Sequence, residues 1–211
     1  MGKYFGTDGF RGEANIDLTV EHAYKVGRFL GSYYSKDGKK CRVVIGKDTR
    51  RSSYMFEYSL VAGLTASGAD VYLLHVTTTP SVSYVVRSDD FDCGIMISAS
   101  HNPYYDNGIK VINGNGEKLE EEVIEKIESY IDGPADAIAF ATKENIGRTV
   151  DYAAGRNRYI GYLISIATRS FKGKKVALDL ANGSASSIAK NVFDALGADT
   201  FVIHNNPDGL N

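Results

Sequence analysis

The residues best able to do chemistry stand together in Ser98-Ala99-Ser100-His101-Asn102-Pro103-Tyr104-Tyr105-Asp106-Asn107-Gly108-Ile109-Lys110. This stretch follows directly on the apolar run Gly94-Ile95-Met96-Ile97. It therefore sits at the carboxyl end of a predicted buried strand, where open α/β sheets place their ligands. Small residues before Ser100 leave room around its hydroxyl. Asn102-Pro103 and Asn107-Gly108 read as turn dipeptides that fix the path of the loop. A serine held rigidly, with Lys110 nearby, could be a nucleophile or a carrier of a phosphoryl group. The plainer alternative is a polar βα loop whose Ser100 and His101 only satisfy backbone groups. Being adjacent, those two side chains are expected to diverge, and a Ser-His catalytic pair needs hydrogen-bond contact.

Two other loops have a similar character. Gly6-Thr7-Asp8-Gly9-Phe10-Arg11-Gly12 is flanked by glycines and carries one arginine, a combination suited to presenting backbone N–H groups and a guanidinium to an anion. Gly46-Lys47-Asp48-Thr49-Arg50-Arg51-Ser52 follows a predicted strand and puts cations beside a helix start, another place that favours anions. Neither has the spacing of a P-loop or a dinucleotide fingerprint, so nucleoside triphosphates and NAD are poorly supported. With the serine loop, these segments make Thr7, Asp48, Arg50 and Asn102 candidates for binding a phosphate or the substrate that carries it.

The elements that must position these loops follow from the hydrophobic pattern. Helices are expected from Thr19, over Ser53 to Ser67, near Pro80, and over Leu119 to Ile131. Strands are expected over Cys41 to Ile45, Val71 to Val76, Gly94 to Ser98 and Ile109 to Ile112. The glutamates Glu120, Glu121, Glu122 and Glu125 read as the wet face of an amphipathic helix rather than a carboxylate site. Alternating strands and helices imply an α/β fold with a mixed, mostly parallel sheet covered by helices. Residues 132–149 have little periodicity and read as an interdomain segment. The expected division is a first domain over 1–149 and an incomplete second α/β domain over 150–211. That second part offers only a helix over Tyr152 to Thr168, a strand over Lys175 to Leu180, a helix over Ser184 to Leu196 and a strand over Thr200 to His204.

Composition excludes several classes. Among 211 residues, 24 basic and 26 acidic side chains leave a formal charge of 24 − 26 = −2, which gives no reason to expect nucleic acid or an anionic membrane as partner. No apolar stretch precedes Asp8, so no secretory leader is expected. The longest uncharged stretch, Val71 to Val86, is broken by His75 and Pro80, so no membrane span is expected. Cys41 and Cys93 open apolar runs and read as core thiols in a reducing, cytoplasmic setting. A serine hydrolase would need a histidine brought to Ser100 from elsewhere. His22, His75 and His204 instead lie in predicted helix or strand segments.

Gly6 to Gly12, Gly46 to Arg50 and above all Ser98 to Lys110 resemble the α-D-phosphohexomutase superfamily. The form Ser-Ala-Ser-His-Asn-Pro followed by Asp-Asn-Gly-Ile-Lys is similar to its bacterial phosphoglucosamine mutase branch. The likeness continues through Leu178 to Gly183 and Pro207 to Asn211, and thus over essentially the whole chain. Phe10 departs mildly, since a smaller aliphatic residue is commoner there.

The resemblance implies that Ser100 carries the transferred phosphoryl group and, through that phosphate, is one ligand of a Mg²⁺ ion. It implies that His101 and Lys110 flank the reacting phosphate and that Arg11 helps hold the phosphoserine loop. It further implies conversion of glucosamine 6-phosphate into glucosamine 1-phosphate through glucosamine 1,6-bisphosphate, and a homodimer formed through the first domain. The superfamily's metal loop, Asp-Gly-Asp-Gly-Asp-Arg, is missing, and Asp8, Asp48, Asp106 and Asp179 are scattered singly. The third and fourth domains of the superfamily are missing as well. The chain is therefore expected to be an amino-terminal fragment with no mutase activity by itself. The alternatives are a phosphoglucomutase/phosphomannomutase of the same superfamily, or a non-catalytic dimerisation module.

Overall fold

The computed structural model describes residues 2–35 and 38–211. Strands β1 (Phe5–Gly6), β2 (Gly9–Glu13), β3 (Arg42–Lys47), β4 (Asp70–Val76), β5 (Cys93–Ile97), β6 (Asp106–Asn113) and β7 (Thr149–Asp151) form one seven-stranded sheet in the order β1-β2-β6-β5-β3-β4-β7. The pairs β3–β4, β3–β5 and β4–β7 are parallel, while β1–β2, β2–β6 and β5–β6 are antiparallel. Five strands (β2, β5, β3, β4 and β7) consequently share one direction. The sheet is mixed and mostly parallel, as the pattern predicts.

Helices α1 (Val20–Tyr34), α2 (Arg51–Ala66) and α4 (Glu121–Asp132) share one face with Val43, Ile45, Val71, Ile95, Ile97 and Ile109. Helix α3 (Thr79–Ser88) covers the opposite face, where Val82, Val85 and Val86 meet Val44, Leu74 and Met96. Successive residues of β3 thus feed opposite cores, which is what the two-residue period of a strand requires when both faces are buried. Thr19 starts α1 with a capping box: its side chain accepts from the N–H of His22, while the His22 ring accepts from Thr19 N–H. That ring lies against Tyr4 and Phe10, and burial lowers the His22 pKa.

Two departures from the sequence reading bear on the site. Gly6 to Gly12, expected as a loop, is the β1–β2 hairpin. Gly9 permits it, with φ +98° and so close an approach that an added Cβ would meet the Ile109 carbonyl oxygen at 2.5 Å. Residues 132–149, expected as an interdomain segment, instead run along the first sheet. Ala141 N–H donates to Ala66 O at 2.9 Å, Gly147 N–H to Thr65 O at 2.9 Å, and Val71 N–H to Arg148 O at 2.8 Å. Fully buried Arg28 also reaches across to the carbonyls of Ile138 and Ala139. The expected boundary at 149/150 falls inside β7, which is hydrogen-bonded into this sheet. Such a short strand carries too few apolar residues to show a period.

Helix α5 (Ala153–Ser165), β8 (Lys175–Asp179), α6 (Ala189–Ala195) and β9 (Asp199–Ile203) follow. β8 and β9 form a separate parallel pair. The helix expected over Ser184 to Leu196 is divided into a 3-10 turn at Ser184–Ser187 and α6. Among the described residues, no helix is long and apolar enough to cross a membrane.

Candidate active site

The cleft at the carboxyl ends of β3, β4 and β5 has a volume of about 1010 Å³. Its wall includes Arg11, Asp48, Arg50, Ser100, His101, Asn102 and Lys110 from the first sheet and its loops. The opposite wall is Ala181–Ser184 and Gly209–Asn211. Thr49 Oγ1 donates to Asn182 O at 3.1 Å, and Arg51 Nε donates to Asp208 O at 3.3 Å. One loop after β3 therefore touches both walls.

Ser100 is exposed and has φ +59°, a left-handed conformation that costs a non-glycine residue roughly 1–2 kcal/mol. Several bonds impose it. Asn102 N–H closes a turn onto Ala99 O at 3.1 Å, and Ser100 N–H donates to Ser98 Oγ at 3.0 Å. Asn102 Nδ2 donates to Asp106 Oδ2 at 2.9 Å. Strain kept in place by its surroundings is characteristic of functional positions.

The expectation that Ser100 and His101 diverge is corrected: Ser100 Oγ lies 3.3 Å from His101 Nδ1. The left-handed residue folds the chain back and brings neighbouring side chains to the same side. The loop also joins two antiparallel strands, β5 and β6, rather than a strand and a helix. Asn107-Gly108, read as a turn dipeptide, belongs to β6. Asn107 is fully buried, donates to Ser52 Oγ at 2.8 Å and Ser53 Oγ at 3.0 Å, and so ties the loop to the start of α2. At Gly108 an added Cβ would meet Ser98 O at 2.7 Å and Arg11 Cγ at 2.9 Å. Only glycine lets Arg11 pass there.

The predicted cations prove unlike one another. Arg50 is 7% exposed and donates through Nε to Asp106 O at 3.1 Å, through Nη1 to Asp48 Oδ2 at 3.3 Å, and through Nη2 to Ser100 O at 3.1 Å and Asn102 O at 2.8 Å. Asp48 also accepts from Ser53 Oγ at 2.7 Å and from Arg50 N–H at 3.1 Å. Arg50 thus holds three carbonyls of the serine loop. Among the described residues Arg11 has one ion pair, with exposed Asp8 at 3.6 Å, and its buried Nε has no hydrogen-bond partner. Lys110 has no ion pair among the described residues and lines the cleft from β6.

Thr7 lies apart from this cleft, beside a small hollow it shares with Phe5, Gly6 and Gly9. Sequence reasoning missed Ser53 and Asn107, whose only signals were the start of a predicted helix and a place in the serine loop. His75 pairs with Asp151 at 3.2 Å and His204 with Asp179 at 2.9 Å; neither lines the cleft. Among the described residues, no group of three or more His, Cys, Asp or Glu could hold a metal ion. The side chains present therefore do not fit a metal cage by themselves.

A family model for phosphoglucomutase/phosphomannomutase, alpha/beta/alpha domain I, matches residues 2–137. The chain is 79% identical over 211 residues to the phosphoglucosamine mutase of Lachnoclostridium phytofermentans, 72% identical over 213 to that of Lachnospira eligens, and 50% identical over 212 to that of Streptococcus pneumoniae. Each alignment covers 100% of this chain and 47% of the relative. The chain thus spans about half the length of these curated relatives. Among solved structures, a phosphoglucomutase/phosphomannomutase family protein of Burkholderia thailandensis superposes with TM-score 0.81 at 24% identity, covering 98% of this chain and 44% of that one. The parafusin phosphoglucomutase of Paramecium, in its open form, superposes with TM-score 0.68 at 18% identity, covering 99% and 44%. These two likenesses are of fold. On the domain match and the identities together, the chain belongs to the phosphoglucomutase/phosphomannomutase family.

Proposed function

We propose that Ser100 carries a phosphoryl group in a phosphoglucosamine mutase reaction, exchanging it with glucosamine 6-phosphate through a 1,6-bisphosphate. The observation that carries this reading is the left-handed turn at Ser100, whose Oγ lies beside His101 in a cleft also lined by Arg11 and Lys110. Phosphoryl transfer asks mainly for positioning and for neutralisation of oxygen charge. The Arg11–Asp8 contact is a partly exposed pair at 3.6 Å, close to the surface pairs that contribute about 0–1 kcal/mol. A dianionic phosphate competes well for that guanidinium, because charge-assisted and bidentate contacts are the stronger ones. Lys110 supplies a second charge with no ion pair among the described residues to give up.

In the transfer, the Ser100 Oγ–P bond breaks and a bond forms from phosphorus to the sugar hydroxyl oxygen. The hydroxyl loses its proton and Ser100 Oγ gains one, for which His101 Nδ1 stands in reach at 3.3 Å. The phosphate at position 6 then returns to Oγ, and glucosamine 1-phosphate leaves. Mg²⁺ would enter this reading only through the Ser100 phosphate, because no cluster of His, Cys, Asp or Glu among the described residues forms a cage for it.

A division into a phosphoserine domain and an incomplete second domain is part of the proposal, with the boundary placed after β7 rather than at 149/150. So are association of two copies through the first domain and a cytoplasmic setting, the latter in keeping with two free, buried thiols, Cys41 and Cys93. The 211-residue chain is expected to turn over no glucosamine 6-phosphate alone.

The test joins this chain to the remaining sequence of the Lachnoclostridium phytofermentans relative. The joined enzyme should convert glucosamine 6-phosphate in preference to glucose or mannose 6-phosphate, and Ser100→Ala should abolish turnover. A preference for glucose or mannose phosphates would favour the phosphoglucomutase/phosphomannomutase alternative. Full activity of Ser100→Ala would end the phosphoserine reading.

A further inference from the structure

We propose that Arg50 is a positioning residue that sets the Ser100 turn, and that it makes no contact with the substrate phosphate. The proposal rests on the phosphoserine reading above for its kinetic consequences, but not for its geometry. A guanidinium has five N–H donors and no acceptor. Four are engaged within the protein: Nε on Asp106 O, one Nη1 hydrogen on Asp48 Oδ2, and both Nη2 hydrogens on Ser100 O and Asn102 O. A single Nη1 hydrogen is left, too few for the two parallel contacts by which arginine grips a phosphate.

The three carbonyls held are those of the nucleophile itself, the residue two beyond it and the first residue of β6. One rigid plane therefore spans the whole turn. Its own place is fixed in turn, since Asp48 takes Arg50 N–H and Nη1 and is held by Ser53 Oγ, which also accepts from Asn107 Nδ2. Arg50 is 7% exposed and Asp48 6% exposed, so little water competes for these bonds. A left-handed serine persists only where its surroundings over-determine it, and Arg50 holds that residue's own carbonyl and two carbonyls beyond it.

The chemistry predicts that lysine cannot replace this arginine. An ammonium on a flexible stem has the charge but not the planar fork that bridges three separated carbonyls. A residue that merely neutralised phosphate would tolerate the exchange much better.

The experiment is Arg50→Lys and Arg50→Ala in the joined enzyme, assayed with glucosamine 6-phosphate. Loosening the turn should lower kcat about 100-fold, as misplacement of a reacting group by about 1 Å does, with KM little changed. Added guanidinium should restore part of the Arg50→Ala rate. Parent-like kcat in Arg50→Lys, or a rise in KM with kcat retained, would overturn the proposal in favour of a phosphate contact. If Arg50→Lys fails to fold, Asp48→Asn, which frees the guanidinium without removing it, should lower kcat at unchanged KM; an unchanged kcat overturns the proposal. Should Ser100→Ala prove fully active, the phosphoserine reading fails separately. The clamp is then judged by a crystal structure of Arg50→Lys, where a retained left-handed Ser100 counts against it and a relaxed turn supports it.

Discussion

At Ser100 the backbone conformation and the side chain make opposite demands. The position at φ +59° suits glycine, whereas the proposed phosphoryl transfer needs a hydroxyl. Ser100→Gly should therefore stabilise the chain by about 1 kcal/mol, while Ser100→Ala should leave stability almost unchanged. For a chain of this length that gain is roughly 2–4 °C in Tm by thermal melting; a lower Tm for the glycine variant would show that the turn is not strained. Spacing made the identity of this residue legible, because the apolar strand before it and the small residues around it are visible in the sequence. Its contact with His101 was not. Adjacency predicts divergence unless φ is positive, and nothing local requires a positive φ at a serine. The local turn bonds that hold it are joined by those of Arg50 and Asp48, which lie about fifty residues away in sequence.

At the scale of elements, two buried or bridging carboxylates decide how the loops are held. Glu57 on α2 and Lys47 at the end of β3 form an ion pair, each 2% exposed, beside the loop that carries Asp48 and Arg50. Removing one partner leaves a buried charge uncompensated, so Lys47→Met should cost about 3–5 kcal/mol. The double replacement Lys47→Met with Glu57→Leu should recover most of that loss in denaturant unfolding. Equal losses in the single and double variants would contradict this account.

Glu128 of α4 accepts from the N–H groups of Lys3, Tyr4 and Phe5 and so pins β1. Partial burial would raise its pKa, but these three backbone donors outweigh that and hold it below the usual carboxylate value. A depressed carboxylate stabilises above its unfolded pKa, and the contribution disappears as pH falls through the folded one. Amide exchange in Tyr4 and Phe5 should accelerate below about pH 4.5; constant protection down to pH 3 would exclude this role. The helix α4 was legible from its apolar stripe, but the use of one of its glutamates as a strand anchor was not. Nothing in the helix's own pattern distinguishes Glu128 from its solvated neighbours. The β1–β2 hairpin and β7 were missed for a related reason: strands of two to five residues are defined by pairing partners rather than by their own period.

For the molecule as a whole, sheet class and helix layers followed from periodicity, and the family followed from three loops that chain order keeps far apart. The cleft has one wall from the first sheet and another from the loop after β8 and the terminal residues, joined by Thr49 and Arg51. Replacing Thr49 with valine removes a single hydrogen bond and should cost about 1 kcal/mol, with a larger effect on protease sensitivity of residues 181–211 than on that of the first sheet. Uniform sensitivity would mean that the contact does not hold the second wall. On the proposed reading, Ser100 Oγ is the atom that carries the phosphoryl group. The measurement closest to it is peptide mapping of the joined enzyme after brief incubation with radiolabelled glucosamine 1,6-bisphosphate. The account predicts label on the peptide containing Ser100 and its absence in Ser100→Ala. Label on another residue, or label undiminished in that variant, would contradict it.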